Sequence, residues 1–132
     1  MIALDTNVLL RYLTQDDPAQ SRKAVEVIER RLTLENPGFV SLVSVLEIVW
    51  VLRSLYRRSQ AQIADHLEMI LAAETLQVQN EQEVYQAVVA LRSGSGAFED
   101  ALIGALGLWW GCSATLTFDR DAAKRLTGFQ LL

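Results

Sequence analysis

The sequence contains few of the residues on which disulfide-bonded proteins and catalytic triads depend. It has one cysteine, Cys112, and one histidine, His66, among 132 residues. A single cysteine excludes an internal disulfide and is typical of a reducing cytosol, and a small thiol beside a glycine is expected to be buried. His66 lies among polar and acidic neighbours, so it is predicted to be a surface residue that belongs to no triad.

Long apolar segments and an excess of positive charge are also scarce. Segment 101–118 carries no charge over 18 residues, but it contains three glycines and acids flank it on both sides. It is therefore predicted to form a buried helix, a glycine stop and a buried strand, not a membrane span. No secretory signal is predicted, because Asp5 interrupts the early apolar stretch and no basic segment precedes it. The three tryptophans, Trp50, Trp109 and Trp110, are predicted to lie in the core, with an interface to another chain as the alternative.

The formal net charge is −4 and the pI is near 4.9. This balance argues against a protein that binds nucleic acid mainly by neutralising phosphates with a basic surface. A protein of this charge that acts on a nucleic acid would need another source of positive charge.

Short apolar strands alternate with helical patterns along one domain that spans residues 1–132. Strands are predicted at 2–4, 39–41, 76–78, 114–117 and 129–131. Helices are predicted to begin after Asp5, at Asp17-Pro18, and at Ser44, Ser59, Asn80, Phe98 and Asp119. Short buried strands separated by helices indicate an α/β fold, a three-layer α/β/α sandwich with a short, mainly parallel sheet.

Four acids stand at positions where ligands bind in such folds. Asp5 and Asp119 each follow a strand, whereas Glu47 and Asp100 interrupt the start of otherwise apolar helices. Each has a simple structural explanation: an N-cap for the two aspartates that follow strands, a capping box for Ser44-x-x-Glu47, and a favourable helix dipole for Asp100. A parallel sheet, however, is expected to place the two strand ends side by side, and ligands bind beyond those ends.

Carboxylates gathered in one cleft repel one another unless a cation neutralises them. Four carboxylates without a histidine or cysteine ligand form a hard, all-oxygen site that suits Mg²⁺ or Mn²⁺ better than zinc. One or two such ions activate water and stabilise the leaving oxygen of a phosphodiester. The cation would also supply the positive charge that the protein surface lacks.

Three segments together resemble the PIN domain family, and within it the VapC-type toxins of bacterial toxin–antitoxin pairs. They are Leu4-Asp5-Thr6-Asn7, the segment Phe98–Ile103 (FEDALI) and the segment Thr115–Asp119 (TLTFD), and Ser44–Ile48 (SVLEI) is a weaker fourth match. The resemblance covers essentially the whole chain in the family's order. It implies the PIN-like α/β/α fold and a ribonuclease that depends on Mg²⁺ or Mn²⁺.

Carried over residue by residue, the family's acidic quartet falls on Asp5, Glu47, Asp100 and Asp119. The resemblance implies that Asp5, Asp100 and Asp119 hold the metal and that Glu47 acts through water. The residues expected to support these acids by hydrogen bonding are Thr6, Asn7 and Thr117. Asp121 is expected to have a supporting or surface role, and Glu99 to face solvent, although a shift of the alignment by one residue would exchange it with Asp100.

The partners implied by the resemblance are RNA, a cognate antitoxin and a second copy of the chain, in the cytoplasm. Arg11 and Arg53 form either a solvated face or a path that guides RNA to the acids. The alternative function is a non-catalytic PIN-fold module whose acids bind a basic partner. A haloacid-dehalogenase-like nucleophile is disfavoured, because it needs a second aspartate at position 7, where the sequence has Asn7.

Overall fold

The computed structural model describes all 132 residues as seven α-helices and five short strands. The strands are β1 (Ile2–Ala3), β2 (Gly38–Val40), β3 (Leu76–Val78), β4 (Thr115–Thr117) and β5 (Phe129–Leu131). The helices are α1 (Thr6–Thr14), α2 (Pro18–Glu26), α3 (Leu42–Ser54), α4 (Gln60–Ala72), α5 (Glu81–Ser93), α6 (Phe98–Trp109) and α7 (Arg120–Arg125). A single π-helical segment, Val27–Arg31, continues α2.

All strand pairs are parallel, as the alternation of strands and helices predicts. Strand β2 lies between β1 and β3, and β4 pairs separately with β5. The fold is therefore the predicted helix-rich α/β/α arrangement on a short parallel sheet. The expectation that the strands before Asp5 and Asp119 lie side by side is wrong at the level of hydrogen bonding, because no ladder joins β1 to β4. Strands of two or three residues offer too few ladder bonds to impose one continuous sheet.

Most helix starts follow the capping residues that the sequence provides, although neither Asn80 at α5 nor Ala97 at α6 caps through its side chain. The Asp17 carboxylate accepts a hydrogen bond from Gln20 N at 3.1 Å and caps α2, and Ser59 forms a complete capping box with Gln62 at the start of α4. Helix α3 begins two residues earlier than predicted, because Ser41 is its cap and accepts from Ser44 N at 3.2 Å. Glu47 is therefore in the second turn of α3 and belongs to no capping box.

One core of 26 buried apolar residues holds the helices to the strands. Phe98, at the start of α6, and Leu9, on α1, are both fully buried in it. Leu4 is buried directly after β1, and its N–H still donates to Phe39 O at 3.0 Å. The core therefore fixes the backbone on the amino-terminal side of Asp5 and at the start of the helix that carries Asp100.

Several apolar residues lie outside this core, contrary to expectation. Trp50 is 54% exposed, Trp109 58% and Trp110 76%, and Cys112 is also exposed because it lies in the turn between α6 and β4. His66, expected at the surface, is half-buried on α4. Burial, followed by the neighbouring Arg58 charge, lowers the pKa of the His66 imidazole, and the Asp65 carboxylate opposes this shift. Periodicity predicts which helix face is apolar but not what covers that face.

Segment 101–118 forms most of α6, a glycine turn and strand β4, in the predicted order. The prediction that this strand is buried is wrong, because Leu116 in β4 is 61% exposed. Gly111, in the turn, has φ +87° and so takes a backbone conformation that suits glycine. None of the seven helices combines the length and the apolarity needed to cross a bilayer.

Candidate functional site

Asp5 follows β1 and caps α1. Its backbone is extended (φ −74°, ψ 153°), and its Oδ1 accepts a hydrogen bond from Thr6 N at 2.7 Å. The second carboxylate oxygen has no partner in the chain, and the residue is exposed. Asp5 therefore has the predicted capping role, but that role uses one of its two oxygens and leaves the other available to a ligand.

Asp119 has the same construction at the end of β4. Its Oδ1 accepts from Asp121 N at 2.9 Å and from Ala122 N at 3.1 Å, which caps α7. Its own N–H donates to Thr117 Oγ1 at 3.0 Å. Thr117 therefore fixes the backbone of Asp119, in keeping with the predicted supporting role, and the second oxygen of Asp119 is again free. Asp121 is exposed in the first turn of α7, and its side chain forms no hydrogen bond.

Glu47 has no structural task. It is exposed on α3 between the buried Val45 and Ile48, and its carboxylate forms neither a hydrogen bond nor an ion pair. Because Ser41, not Ser44, caps this helix, the capping-box explanation for an acid at position 47 does not hold. Folding therefore gives no reason for a charge at this position, and we treat the Glu47 carboxylate as a candidate functional group.

Glu99 and Asp100 are adjacent on α6 but have different surroundings. Glu99 forms a bidentate ion pair with Arg53 of α3, in which Arg53 Nη2 donates to Oε1 and Nη1 donates to Oε2 at 3.3 Å. Burial raises the pKa of the Glu99 carboxyl, but the Arg53 hydrogen bonds and charge outweigh it and leave the pKa below its ordinary value. Asp100 is half-buried and has no partner. Of the two, Asp100 is the acid free to bind a ligand, and the expectation that Glu99 simply faces solvent is wrong.

The four acids are not gathered into one cluster. No three acidic, histidine or cysteine side chains of the chain lie close enough together to hold a single ion. The shared coordination of a cation by Asp5, Asp100 and Asp119 therefore stays a prediction. The donor chemistry does fit a hard divalent cation, since Asp5, Asp100, Asp119 and Glu47 all offer unpaired carboxylate oxygens.

The two other residues of the first motif have separate roles. Thr6 is buried and gives its N–H to the Asp5 carboxylate, so the support it provides comes from its backbone. Asn7 is exposed, and its side-chain amide forms no hydrogen bond. It lies instead at the edge of a groove between α1 and α2.

Both arginines predicted to meet RNA are already held by other residues. Arg53 pairs with Glu99, as described above. Arg11 donates through Nε to Gln20 Oε1 at 2.7 Å and through Nη1 to Asp16 Oδ1 at 3.2 Å and to the Tyr56 hydroxyl at 3.3 Å. The RNA-contacting role stays a prediction for both arginines. The prediction has less support for Arg53, because Glu99 already pairs with its charge.

Sequence reasoning missed the network around Arg11. Tyr56 donates its hydroxyl to Asp16 Oδ2 at 2.6 Å, and this bond, together with the Arg11 charge, lowers the pKa of the Asp16 carboxyl. Tyr56 is 45 residues from Arg11, so no local spacing could have indicated the contact. The network ties the end of α1 to the start of α2 and to the segment after α3.

The sequence matches the model of the PIN domain over residues 2–127. The chain belongs to the PIN domain family. PIN domains are generally metal-dependent nucleases, so this PIN domain has a nuclease-type fold. Comparison with curated proteins finds no match.

Proposed function

We propose that this PIN domain hydrolyses RNA phosphodiester bonds with the help of Mg²⁺ or Mn²⁺. The observation that carries the proposal is the shared construction of Asp5 and Asp119. Each ends a parallel strand, caps the next helix through Oδ1 and keeps its second oxygen free. Capping needs only a neutral acceptor such as serine or asparagine, so the charge on both residues is available to a ligand.

In this mechanism the acids divide between binding and proton transfer. The free oxygens of Asp5, Asp100 and Asp119 would hold the cation, which supplies Lewis acidity that makes water a better nucleophile and offsets charge on the phosphate. Glu47, whose carboxylate has no partner, accepts the proton of the attacking water. The water oxygen bonds to phosphorus as the bond from phosphorus to the leaving ribose oxygen breaks, and that oxygen takes up a proton from solvent. The Thr6 N–H holds the Asp5 carboxylate in place, and Thr117 Oγ1 holds the backbone of Asp119.

RNA cleavage should be measured with Mg²⁺ or Mn²⁺, with EDTA, and for Asp5→Asn. Asparagine keeps the cap but removes the charge, so we expect activity to fall at least about 100-fold, since even losing a residue that only supports a metal ligand costs about 10–100-fold. Asp17→Asn is the matched control, because Asp17 also caps a helix. Cleavage that survives both EDTA and the Asp5 substitution would rule the mechanism out.

The alternative, a non-catalytic module that binds a basic partner, makes a different prediction for metal binding. Calorimetric titration with Mn²⁺ and Mg²⁺ should show heat of binding for the wild-type protein and a loss of that heat for Asp5→Asn. Absence of binding at millimolar concentrations of either ion, together with absent RNA cleavage, would favour the module.

We further propose that the domain is the VapC-type toxin of a toxin–antitoxin pair and acts on RNA in the cytoplasm. The partner would be a small antitoxin whose basic segment binds the free carboxylates of Asp5, Asp100 and Asp119 and competes with the metal. Expression of the wild-type chain alone should arrest bacterial growth, whereas Asp5→Asn should not. Co-expression of the product of the neighbouring short reading frame should restore growth and yield a complex on purification.

The same proposal includes a homodimer, and one surface of the molecule suits it. We call it the α3–α6 face and define it by the exposed side chains of Val43, Leu46, Trp50 and Ile103. Between the two helices lies a shallow, mostly apolar cavity of about 320 Å³, lined by Leu46, Trp50, Glu99, Leu102, Ile103 and Leu106. Contiguous exposed apolar side chains of this kind favour contact with another protein surface.

A further inference from the structure

The groove between α1 and α2 begins at Asn7, two residues beyond Asp5. We call it the α1–α2 groove; its volume is about 260 Å³, and its lining includes Asn7, Val8, Arg11, Gln20, Lys23 and Val27. Asn7 lies in the first turn of α1, the turn that Asp5 caps. A ligand chain that reaches the Asp5 carboxylate can therefore continue directly into this groove.

The charge of the groove is opposite to that of the protein as a whole. Arg11 and Lys23 line it, and no acidic residue does. The Arg11 charge is partly offset by Asp16 at 3.2 Å, but Lys23 is exposed and forms no ion pair. In a chain of net charge −4, this local positive field selects an anionic ligand at this place.

The remaining groups of the groove suit a nucleobase. Val8 and Val27 are half-buried and give it an apolar wall. Gln20 accepts from Arg11 Nε at 2.7 Å through Oε1, which leaves its amide NH₂ as a donor, and the Asn7 amide is unpaired. An apolar wall with two amides at its edges can hold a flat ring and read its hydrogen-bonding edge. The volume is smaller than the roughly 300–1,000 Å³ of drug-sized pockets, which favours a single nucleotide.

The groove is also pre-organised. The Arg11 guanidinium is fixed by Gln20, Asp16 and the Tyr56 hydroxyl, and Thr14 Oγ1 donates to the same Asp16 carboxylate at 3.0 Å. Side chains held by their neighbours lose less conformational entropy when a ligand binds. Arg11 therefore shapes the groove, and Lys23 is the free cation within it.

We propose that the α1–α2 groove binds one nucleotide of single-stranded RNA next to the scissile phosphate. Lys23 contacts a phosphate of that nucleotide, and Asn7 and Gln20 contact the edge of its base. The inference rests on the proposed function for its substrate, but it assigns a separate surface. It adds Lys23 and Gln20 to the residues that determine which RNA is bound.

The test compares Lys23→Gln with Arg22→Gln. Arg22 is the neighbouring exposed cation, and it lies outside the groove, so both variants lose the same charge and only one alters the groove. Binding of a fluorescent single-stranded oligonucleotide is measured by anisotropy at several salt concentrations, in an Asp5→Asn background and in EDTA, so that cleavage is suppressed. We expect Lys23→Gln to weaken binding about 5–10-fold and to reduce the salt dependence by about 0.7 in log–log slope, the share of one phosphate contact.

Cleavage kinetics give a second readout. In the wild-type background, Lys23→Gln should raise KM with little change in kcat, because the lysine contacts substrate away from the bond that breaks. Asn7→Ala should change the preference among oligonucleotides that differ only in the base beside the cut. Circular dichroism confirms that the exposed substitutions leave the fold intact.

The outcomes separate this inference from the proposed function. If RNA is cleaved but Lys23→Gln and Arg22→Gln behave alike in binding, slope and KM, the groove assignment is overturned while the nuclease stands. If RNA is not cleaved but Lys23→Gln alone weakens binding, the groove stands and the catalytic proposal fails. If Lys23→Gln weakens binding of an acidic peptide but not of RNA, the groove binds protein and the inference is overturned.

Discussion

Two carboxylates in this molecule use one oxygen for folding and leave the other free for a ligand. In Asp5 and Asp119, Oδ1 caps a helix and the other oxygen is unpaired. The capping and ligand interpretations, which the sequence presents as alternatives, are therefore compatible. Only a substitution that keeps the hydrogen bond and removes the charge can distinguish the capping role from the ligand-binding role.

The first residue-scale prediction concerns Asp119→Asn. Asparagine caps helices about as well as aspartate, so the free energy of unfolding should change by less than about 0.5 kcal/mol. RNA cleavage should nevertheless fall about 100-fold or more, since a metal-binding charge is lost. Asp121→Asn, two residues on and also exposed, is the control and should keep its activity. Equal activity of the two variants would remove Asp119 from the site.

The second residue-scale prediction concerns acid stability through Asp16. The Tyr56 hydroxyl, above all, lowers the pKa of the Asp16 carboxyl. A carboxyl whose pKa is lower in the folded than in the unfolded state stabilises the fold above the unfolded pKa, about 4, and this contribution is lost as the pH falls through the folded value. Denaturation midpoints of the wild type and Tyr56→Phe should therefore differ by a constant amount above about pH 5 and converge below about pH 4. A difference that grows on acidification would contradict this sign.

At the scale of the elements, the sequence predicts the start of a helix correctly wherever it offers one strong capping residue. Asp17-Pro18 and Ser59 begin helices as predicted. The sequence does not predict the start of α3, because Ser41 and Ser44 lie three residues apart and only Ser41 caps the helix. Two serines in one turn give the same local signal. The choice between them depends on β2 ending at Val40, which is a property of the sheet.

An element-scale prediction concerns how closely α6 packs on β5. A Cβ added at Gly104 would lie 2.5 Å from Phe129 Cε2, whereas one added at Gly107 would lie 3.4 Å from its nearest neighbour, Thr115 Oγ1. Gly104→Ala should therefore destabilise the protein by about 1–3 kcal/mol, through overpacking. Gly107→Ala should be neutral or stabilise by up to about 1 kcal/mol, because alanine favours a helix interior.

The matched pair keeps the chemistry of the substitution constant and changes only the space around it. Both are glycine-to-alanine changes within α6, measured as urea midpoints. Equal effects at the two positions would show that α6 does not approach β5 closely at Gly104.

At the scale of the whole molecule, the order and kind of the elements could be predicted from sequence, but their assembly could not. Strands β3 and β5 lie where the sequence predicts them, because Leu-Gln-Val and Phe-Gln-Leu each alternate apolar, polar and apolar residues after a helix, a pattern typical of a strand. The division into β1-β2-β3 and β4-β5 was not foreseen, since parallel pairing depends on contacts distant in sequence. For the same reason, the four acids were identifiable from their positions in the chain, whereas their mutual distances were not.

The exposed tryptophans show a second reason why burial could not be predicted. In the sequence, an apolar residue that binds a partner cannot be distinguished from one that packs in the core. This leads to the whole-molecule prediction. If the α3–α6 face binds a second copy, light scattering on the wild-type protein should give twice the mass of the 14.7 kDa chain. Ile103→Glu should give a monomer, since a charge buried in an apolar interface without a partner is costly.

Val89→Glu is the matched control for this experiment. Val89 on α5 is 49% exposed and Ile103 on α6 is 56% exposed, so both substitutions place a carboxylate on a helix surface at similar accessibility. Only Ile103 belongs to the α3–α6 face, and Val89→Glu should therefore remain a dimer. A wild-type monomer at tens of micromolar, or an Ile103→Glu dimer, would mean that these apolar side chains do not bind a second copy. If both variants are monomers, the effect of an added carboxylate is not specific to the α3–α6 face, and this face is not shown to be the dimer interface.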